Sequence, residues 1–118
     1  VLDFAGHAER VGLDSVWATD HLYFEAYEDF KAVGIELPAE WAGIKGGQWE
    51  CWTVAAAIAA VTTRVEIGTL VCNTTFRNPA LLARMADNVV DLSAGRLILG
   101  LGAGDFTTEH AAYGFDFE

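Results

Sequence analysis

The sequence predicts an α/β domain in which parallel strands are covered by helices. Three observations carry this. Helix-like and strand-like segments alternate three times within 118 residues. The strands are short and almost continuously apolar, as expected where both faces of a sheet are covered. From Val65 to Leu97 the pattern repeats after 32 residues, the size of one crossover unit.

Residues 2–14, "LDFAGHAERVGLD", place Leu2, Ala5, Ala8 and Val11 at helical spacing, with Gly12 as the terminating residue. Strand "SVWAT", residues 15–19, follows, rich in residues that suit a pleated surface. A stretch at 22–49 then interrupts the alternation. It holds Tyr23, Phe24, Tyr27 and Phe30, followed by "ELPAEWAGIKGGQW". A long, aromatic loop punctuated by Gly is read as a lid or binding loop, with a disordered excursion as the alternative. Residues 50–64, "ECWTVAAAIAAVTTR", form an Ala-rich helix, apolar on most faces and hence buried. Strand "VEIGTLVC", residues 65–72, follows it. The third helix is punctuated by Asn78 as N-cap, Pro79 at its first position and Gly95 past its end. Strand "RLILGLG", residues 96–102, completes the third unit.

Composition narrows the function. Apolar residues make up 53%, which excludes a disordered chain. The longest apolar run, "VAAAIAAV" at 54–61, is far short of the roughly 20 residues a membrane helix needs. No secretory leader is read before the first helix. The net charge is −10, and residues 1–50 hold ten carboxylates against three cations. Such a surface favours neither nucleic acid nor anionic membrane, since both require clustered cations. Cys51 and Cys72 have neither metal-ligand nor disulfide-framework spacing and are read as buried, reduced thiols of a cytoplasmic protein. No metal site is expected.

The chemistry gathers at one end of the strands. The first ends at Asp20-His21, the second at Asn73-Thr74-Thr75, and the third in a Gly-rich turn followed by Asp105, Thr107, Thr108, Glu109 and His110. The opposite ends carry only punctuation: Gly12-Leu13-Asp14, Thr62-Thr63-Arg64 and Ser93-Ala94-Gly95. Parallel α/β sheets and barrels build their sites at the carboxyl ends of strands, so His21 is a candidate functional imidazole. His7, on the first helix, reads as a structural residue. Asp20 is either an acidic N-cap to the next segment or the group that orients the imidazole. "GLGAGD" matches a dinucleotide fingerprint at Gly100 and Gly102 but has Asp105 in the third glycine position. It remains suited to an anion or ring approaching backbone N–H groups at Gly102 and Gly104. Arg77, Arg84 and Arg96 stand singly and read as helix-surface or packing charges.

The sequence resembles the luciferase-like flavin-dependent oxidoreductases, most closely the branch that uses the deazaflavin coenzyme F420. The resemblance covers nearly the whole chain. It rests on "GLDSVWATDHL" (12–22), on "RVEIGTLVCNTTFRNPALLARMADNVVDLSAGRLILGLGAG" (64–104) and on the tail "EHAAYGFDF" (109–117). It implies a (β/α)8 TIM barrel with the cofactor across its C-terminal mouth. A barrel takes about 250 residues, so residues 1–118 would be the N-terminal part of a single barrel domain. They would span about strands two to four, truncated at both ends, with 22–49 as an inserted loop. Three strands leave two unpaired edges, which argues against independent stability.

The resemblance also implies roles. His21 would be the proton acceptor beside the deazaflavin ring, with Asp20 positioning or polarising it. A non-proline cis peptide at Leu70-Val71 would form a bulge behind the ring. Asn73 would contact the cofactor, and Gly102-Ala103-Gly104 would approach the ring edge with backbone groups. Asp105 stands where some relatives carry a proton-donating carboxylic acid. The expected activity is hydride transfer at the deazaflavin C5 to or from a small, hydrophobic organic substrate, with His21 or Asp105 handling the matching proton. An FMN-dependent monooxygenase and a non-catalytic flavin-binding protein are the alternatives. The parent is expected to be a homodimer; a freestanding half-barrel dimerising through its sheet edges is the remaining possibility.

Overall fold

A computed structural model describes residues 1–116. The predicted alternation is present, with finer divisions. Helix α1 (Leu2–Arg10) leads to strand β1 (Ser15–Ala18). The segment after β1 holds a short strand β2 (Phe24–Glu25), helix α2 (Ala26–Ala32), a 3-10 turn (Ala39–Trp41) and strand β3 (Lys45–Gly46). Helix α3 (Cys51–Val61), strands β4 (Glu66–Thr69) and β5 (Cys72–Asn73), and helix α4 (Pro79–Ser93) follow. Strands β6 (Leu97–Ile98) and β7 (Leu101–Gly102) lead to helix α5 (Thr107–Tyr113).

The central sheet has the order β1-β4-β6, all parallel, with Val16 opposite Ile67 and Ile67 opposite Leu97. These three residues lie at equivalent positions on neighbouring strands and so share a sheet face. They pack with Ala5 and Ala8 of α1, Ala55, Ile58 and Ala59 of α3, and Leu82, Ala86 and Val89 of α4 in one core. A second parallel pair, β5 and β7, continues the sheet past Thr69. The mixed α/β chain with parallel strands agrees with the partial barrel that the resemblance implies. No helix among the described residues is long and apolar enough to cross a membrane.

Helix ends follow their sequence signals. Leu13 N–H bonds Ala8 C=O and Gly12 N–H bonds Glu9 C=O, with Gly12 at φ +90°. This double closure satisfies carbonyls that the last turn of a helix leaves free. Val11 therefore lies past the helix and is exposed, so only the middle of the predicted apolar stripe meets the core. Asn78 caps α4 through the N–H groups of Ala80 and Leu81, with Pro79 next, as expected. At the other end the left-handed position falls on Ala94 as well as Gly95. Arg96 donates to the carbonyls of Ala59, Thr62, Val65 and Ser93, closing the end of α3 against the start of β6. It is a packing charge, as the sequence suggested.

Three expectations need correction. The strand at 65–72 is not continuous: the Leu70-Val71 peptide is cis and separates β4 from β5. The strand at 96–102 breaks in parallel, between Ile98 and Leu101. There the Thr69 hydroxyl donates to Gly100 C=O and accepts from Gly100 N–H, replacing ladder bonds. Residues 22–49 are neither a plain loop nor a disordered excursion, for they form a two-stranded antiparallel ribbon with a helix. Phe117, the last residue of the tail that carried the resemblance, lies outside the described residues.

Candidate active site

The nine residues singled out from the sequence surround one cleft of about 280 Å³: Asp20 and His21 past β1, Leu70, Val71 and Asn73 around the cis peptide, and Gly102, Ala103, Gly104 and Asp105 past β7. All come from the carboxyl ends of parallel strands. Three neighbouring strands therefore deliver them to one place because they run the same way.

The walls differ in chemistry. Leu70 and Val71 expose apolar side chains, 60% and 41% accessible. Beside them, Gly102 leaves so little room that an added Cβ would lie 2.4 Å from Val71 Cγ2. At Gly104, φ is +89° and a Cβ would come within 2.5 Å of Asn73 Nδ2. This rim is consequently bare backbone. Asn73 is buried, its Oδ1 accepting from the N–H and hydroxyl of Thr75 and its Nδ2 lying 3.1 Å from His110 Nε2. His110, wholly within the protein, thus backs the cleft.

The imidazole of His21 stacks on Phe106, with ring centroids 4.7 Å apart and planes 26° from parallel. Its Nδ1 lies 2.9 Å from Glu109 Oε1, and its Nε2 is 4.0 Å from Asp105 Oδ1. The second distance is beyond a hydrogen bond. Asp105 is more than half exposed at the rim.

The expected Asp20–His21 pairing gives way to a different arrangement. Both Asp20 oxygens are engaged elsewhere: Oδ2 accepts from Arg77 Nη1 at 2.5 Å and from Asn73 N–H at 2.9 Å, and Oδ1 accepts from Arg77 Nη2 at 2.9 Å. Arg77, read from the sequence as a helix-surface or packing charge, is of the packing kind and acts as a strut, its side chain 9% exposed. It also donates to Glu50 Oε1 at 2.6 Å, and Glu50 caps α3 through the N–H groups of Trp52 and Thr53. Burial alone would lower the Arg77 pKa, but the bonds to Asp20 and Glu50 outweigh it and hold the guanidinium above its usual value. Burial would raise Glu50, yet its bonds from Thr53, Trp52 and Arg77 hold it below the ordinary carboxylate value.

Sequence reasoning noted Glu109 only among the polar residues after the third strand. No local signal marked it as the partner of His21, because the two are 88 positions apart and α5 was not foreseen. Donor atoms of His21, Asp105 and Glu109 lie within 4.8 Å of one another, the grouping best placed among the described residues to hold a cation. Glu109 already accepts from Leu22 N–H and lies against His21 Nδ1, however, so we read these two as a hydrogen-bonded pair with Asp105 standing apart at the rim. For a flat heterocycle the cleft fits: an apolar wall, a backbone rim that side chains cannot fill, and a titratable edge.

Comparison with known proteins adds three findings. The family model for luciferase-like monooxygenases matches residues 1–118. An F420-dependent glucose-6-phosphate dehydrogenase of Amycolatopsis mediterranei (strain U-32) is 38% identical over 97% of this chain, which spans 30% of that relative's length. Among solved structures, riboflavin lyase with modified FMN and riboflavin aligns over 98% of this chain and 25% of its own, with 26% identity and a TM-score of 0.74. The coenzyme F420-dependent tetrahydromethanopterin reductase of Methanopyrus kandleri aligns over 99% and 28%, with 21% identity and a TM-score of 0.66.

Proposed function

We propose that this chain, which belongs to the luciferase-like monooxygenase family, carries the imidazole side of an oxidoreductase active site that takes coenzyme F420. The observation that carries this is His21: a strand-end imidazole whose Nδ1 is held by a buried carboxylate while Nε2 lies toward the cleft and the Asp105 carboxyl. The F420-dependent dehydrogenase at 38% identity supports the choice of cofactor.

Leu70 and Val71 would back the ring, Gly102 to Gly104 would meet its edge with backbone groups, and Asn73 would contact it, braced by Thr75 and His110. When bound, the deazaflavin supplies a carbon that accepts or gives a hydride. The chain's part is the proton. His21 Nε2 takes it from the substrate as the substrate is oxidised and returns it as the substrate is reduced; Asp105, within reach of the same edge, is the alternative carrier of that proton. The cleft-lining residues include no lysine or arginine. With the apolar strand ends, this favours a small, hydrophobic organic substrate on the ring face turned away from Leu70 and Val71.

An FMN-dependent monooxygenase is the second reading, favoured by the family's description and by the FMN-containing structural neighbour. Parallel fluorescence titrations of the full-length protein with F420 and FMN separate the two. Tight binding of F420 alone supports the proposal. Preference for FMN together with oxygen uptake would overturn it.

A further inference from the structure

We propose that Glu109 is the positioning residue that fixes His21 as its Nδ1–H tautomer, leaving Nε2 as the acceptor at the cleft. The inference rests on the reading that Nε2 handles the proton.

Glu109 sits in the first turn of α5, its side chain fully buried. Its Oε2 accepts from Leu22 N–H at 2.9 Å and lies 3.4 Å from Tyr23 N. Backbone N–H groups can only donate, so that oxygen is an acceptor. The other oxygen, 2.9 Å from His21 Nδ1, is also an acceptor in the carboxylate, and Nδ1 must therefore carry the hydrogen. A neutral imidazole with Nδ1–H has its lone pair on Nε2. Asp20, adjacent in sequence, is turned to Arg77 and Asn73 N–H instead, which bond both its oxygens. Phe106, three residues before Glu109, stacks on the same ring and limits its rotation about χ2.

The same turn holds the inserted segment. Leu22 and Tyr23 are its first residues, and the Thr108 hydroxyl bonds Asp29 Oδ1 while Asp29 Oδ2 accepts from Glu25 N–H at 2.6 Å. Glu109 thus sets the imidazole and the start of the aromatic insert with one carboxylate. A glutamine there has one acceptor oxygen for two donors. If that oxygen stays with Leu22 N–H, the amide NH2 faces Nδ1 and the ring must present its lone pair there, moving the hydrogen to Nε2.

The test uses the full-length protein with 15N-labelled histidine and no cofactor, in long-range 1H–15N spectra that distinguish the tautomers, His21 being assigned with a His21→Asn variant. The wild type is expected to show the Nδ1–H pattern, and Glu109→Gln is expected to lose it in favour of Nε2–H. An Nε2–H pattern in the wild type would overturn the proposal whether or not the variant folds. A Glu109→Gln protein that keeps Nδ1–H while Leu22 N–H stays hydrogen-bonded to the amide oxygen would overturn it as well. Because no cofactor is present, the Nδ1–H result supports the proposal even if F420 fails to bind, an outcome that would sink the cofactor reading alone.

Discussion

Replacing Arg77 by methionine should destabilise the protein far more than an ordinary loss of a salt bridge. The Arg77 side chain is 9% exposed and that of Asp20 is wholly buried. They share two hydrogen bonds, so removing the guanidinium strands a buried carboxylate. Breaking such a pair from one side costs about 3–5 kcal/mol. The Glu50 arm adds little, because that side chain is more than a third exposed and water screens it. With an m-value of at least about 3 kcal/mol/M, the upper end for small proteins, the urea midpoint should fall by up to about 1–1.7 M. The assay is equilibrium urea unfolding of the full-length protein, followed by tryptophan fluorescence. Asp20→Asn in the Arg77→Met background should recover more than half of the loss, since it removes the stranded charge and keeps an acceptor for Asn73 N–H. A single Arg77→Met variant within about 1 kcal/mol of wild type would refute the strut, since surface pairs are worth no more than that.

Three further outcomes are expected. Gly102→Ala should weaken F420 binding at least tenfold (about 1.4 kcal/mol) with far-UV circular dichroism unchanged, because its Cβ would lie 2.4 Å from Val71 Cγ2 at the cleft wall; wild-type affinity would contradict the tight rim. Glu9 accepts N–H bonds from Val65, Arg64 and Thr63, and these hold its pKa at about 2, below the ordinary 4.5. A depressed carboxylate stabilises fully above its unfolded pKa and loses that contribution as pH falls through the folded one. Stability should therefore decline from pH 4.5 toward 2, and Glu9→Gln should flatten that part of the profile. Burial pushes the Cys51 thiol up to about 12 and Cys72 to about 11. Peptide mapping after alkylation at pH 8 should find both unmodified in the native protein and both modified in urea, whereas native labelling of either would contradict their burial.

Helices α1, α3 and α4 and the central sheet were legible because their signals are local. Pro79 behind Asn78, Gly12 after an apolar stripe and uninterrupted apolar strands each act within a few residues. The cleft was legible for a related reason: parallel strands put their carboxyl ends together, so polar residues at three separate ends had to converge. What escaped was long-range pairing. Nothing near Arg77 announces that Asp20, 57 positions away, will bury it, and nothing near Glu109 announces His21. The resemblance implies that Asp20 positions His21, yet consecutive residues past a strand point to different neighbours, and Asp20 turns to Arg77. The ribbon and helix within 22–49 went unread because they are held from far along the chain, Phe30 packing edge-on against Phe106 just before α5, which no local pattern announces.

The most direct measurement is the crystal structure of the full-length protein bound to F420. The account predicts the deazaflavin ring against Leu70 and Val71, its edge at Gly102 to Gly104, and His21 Nε2 turned toward it with Nδ1 still on Glu109. A ring bound away from this cleft, or an imidazole that presents Nδ1 to it, would contradict the account.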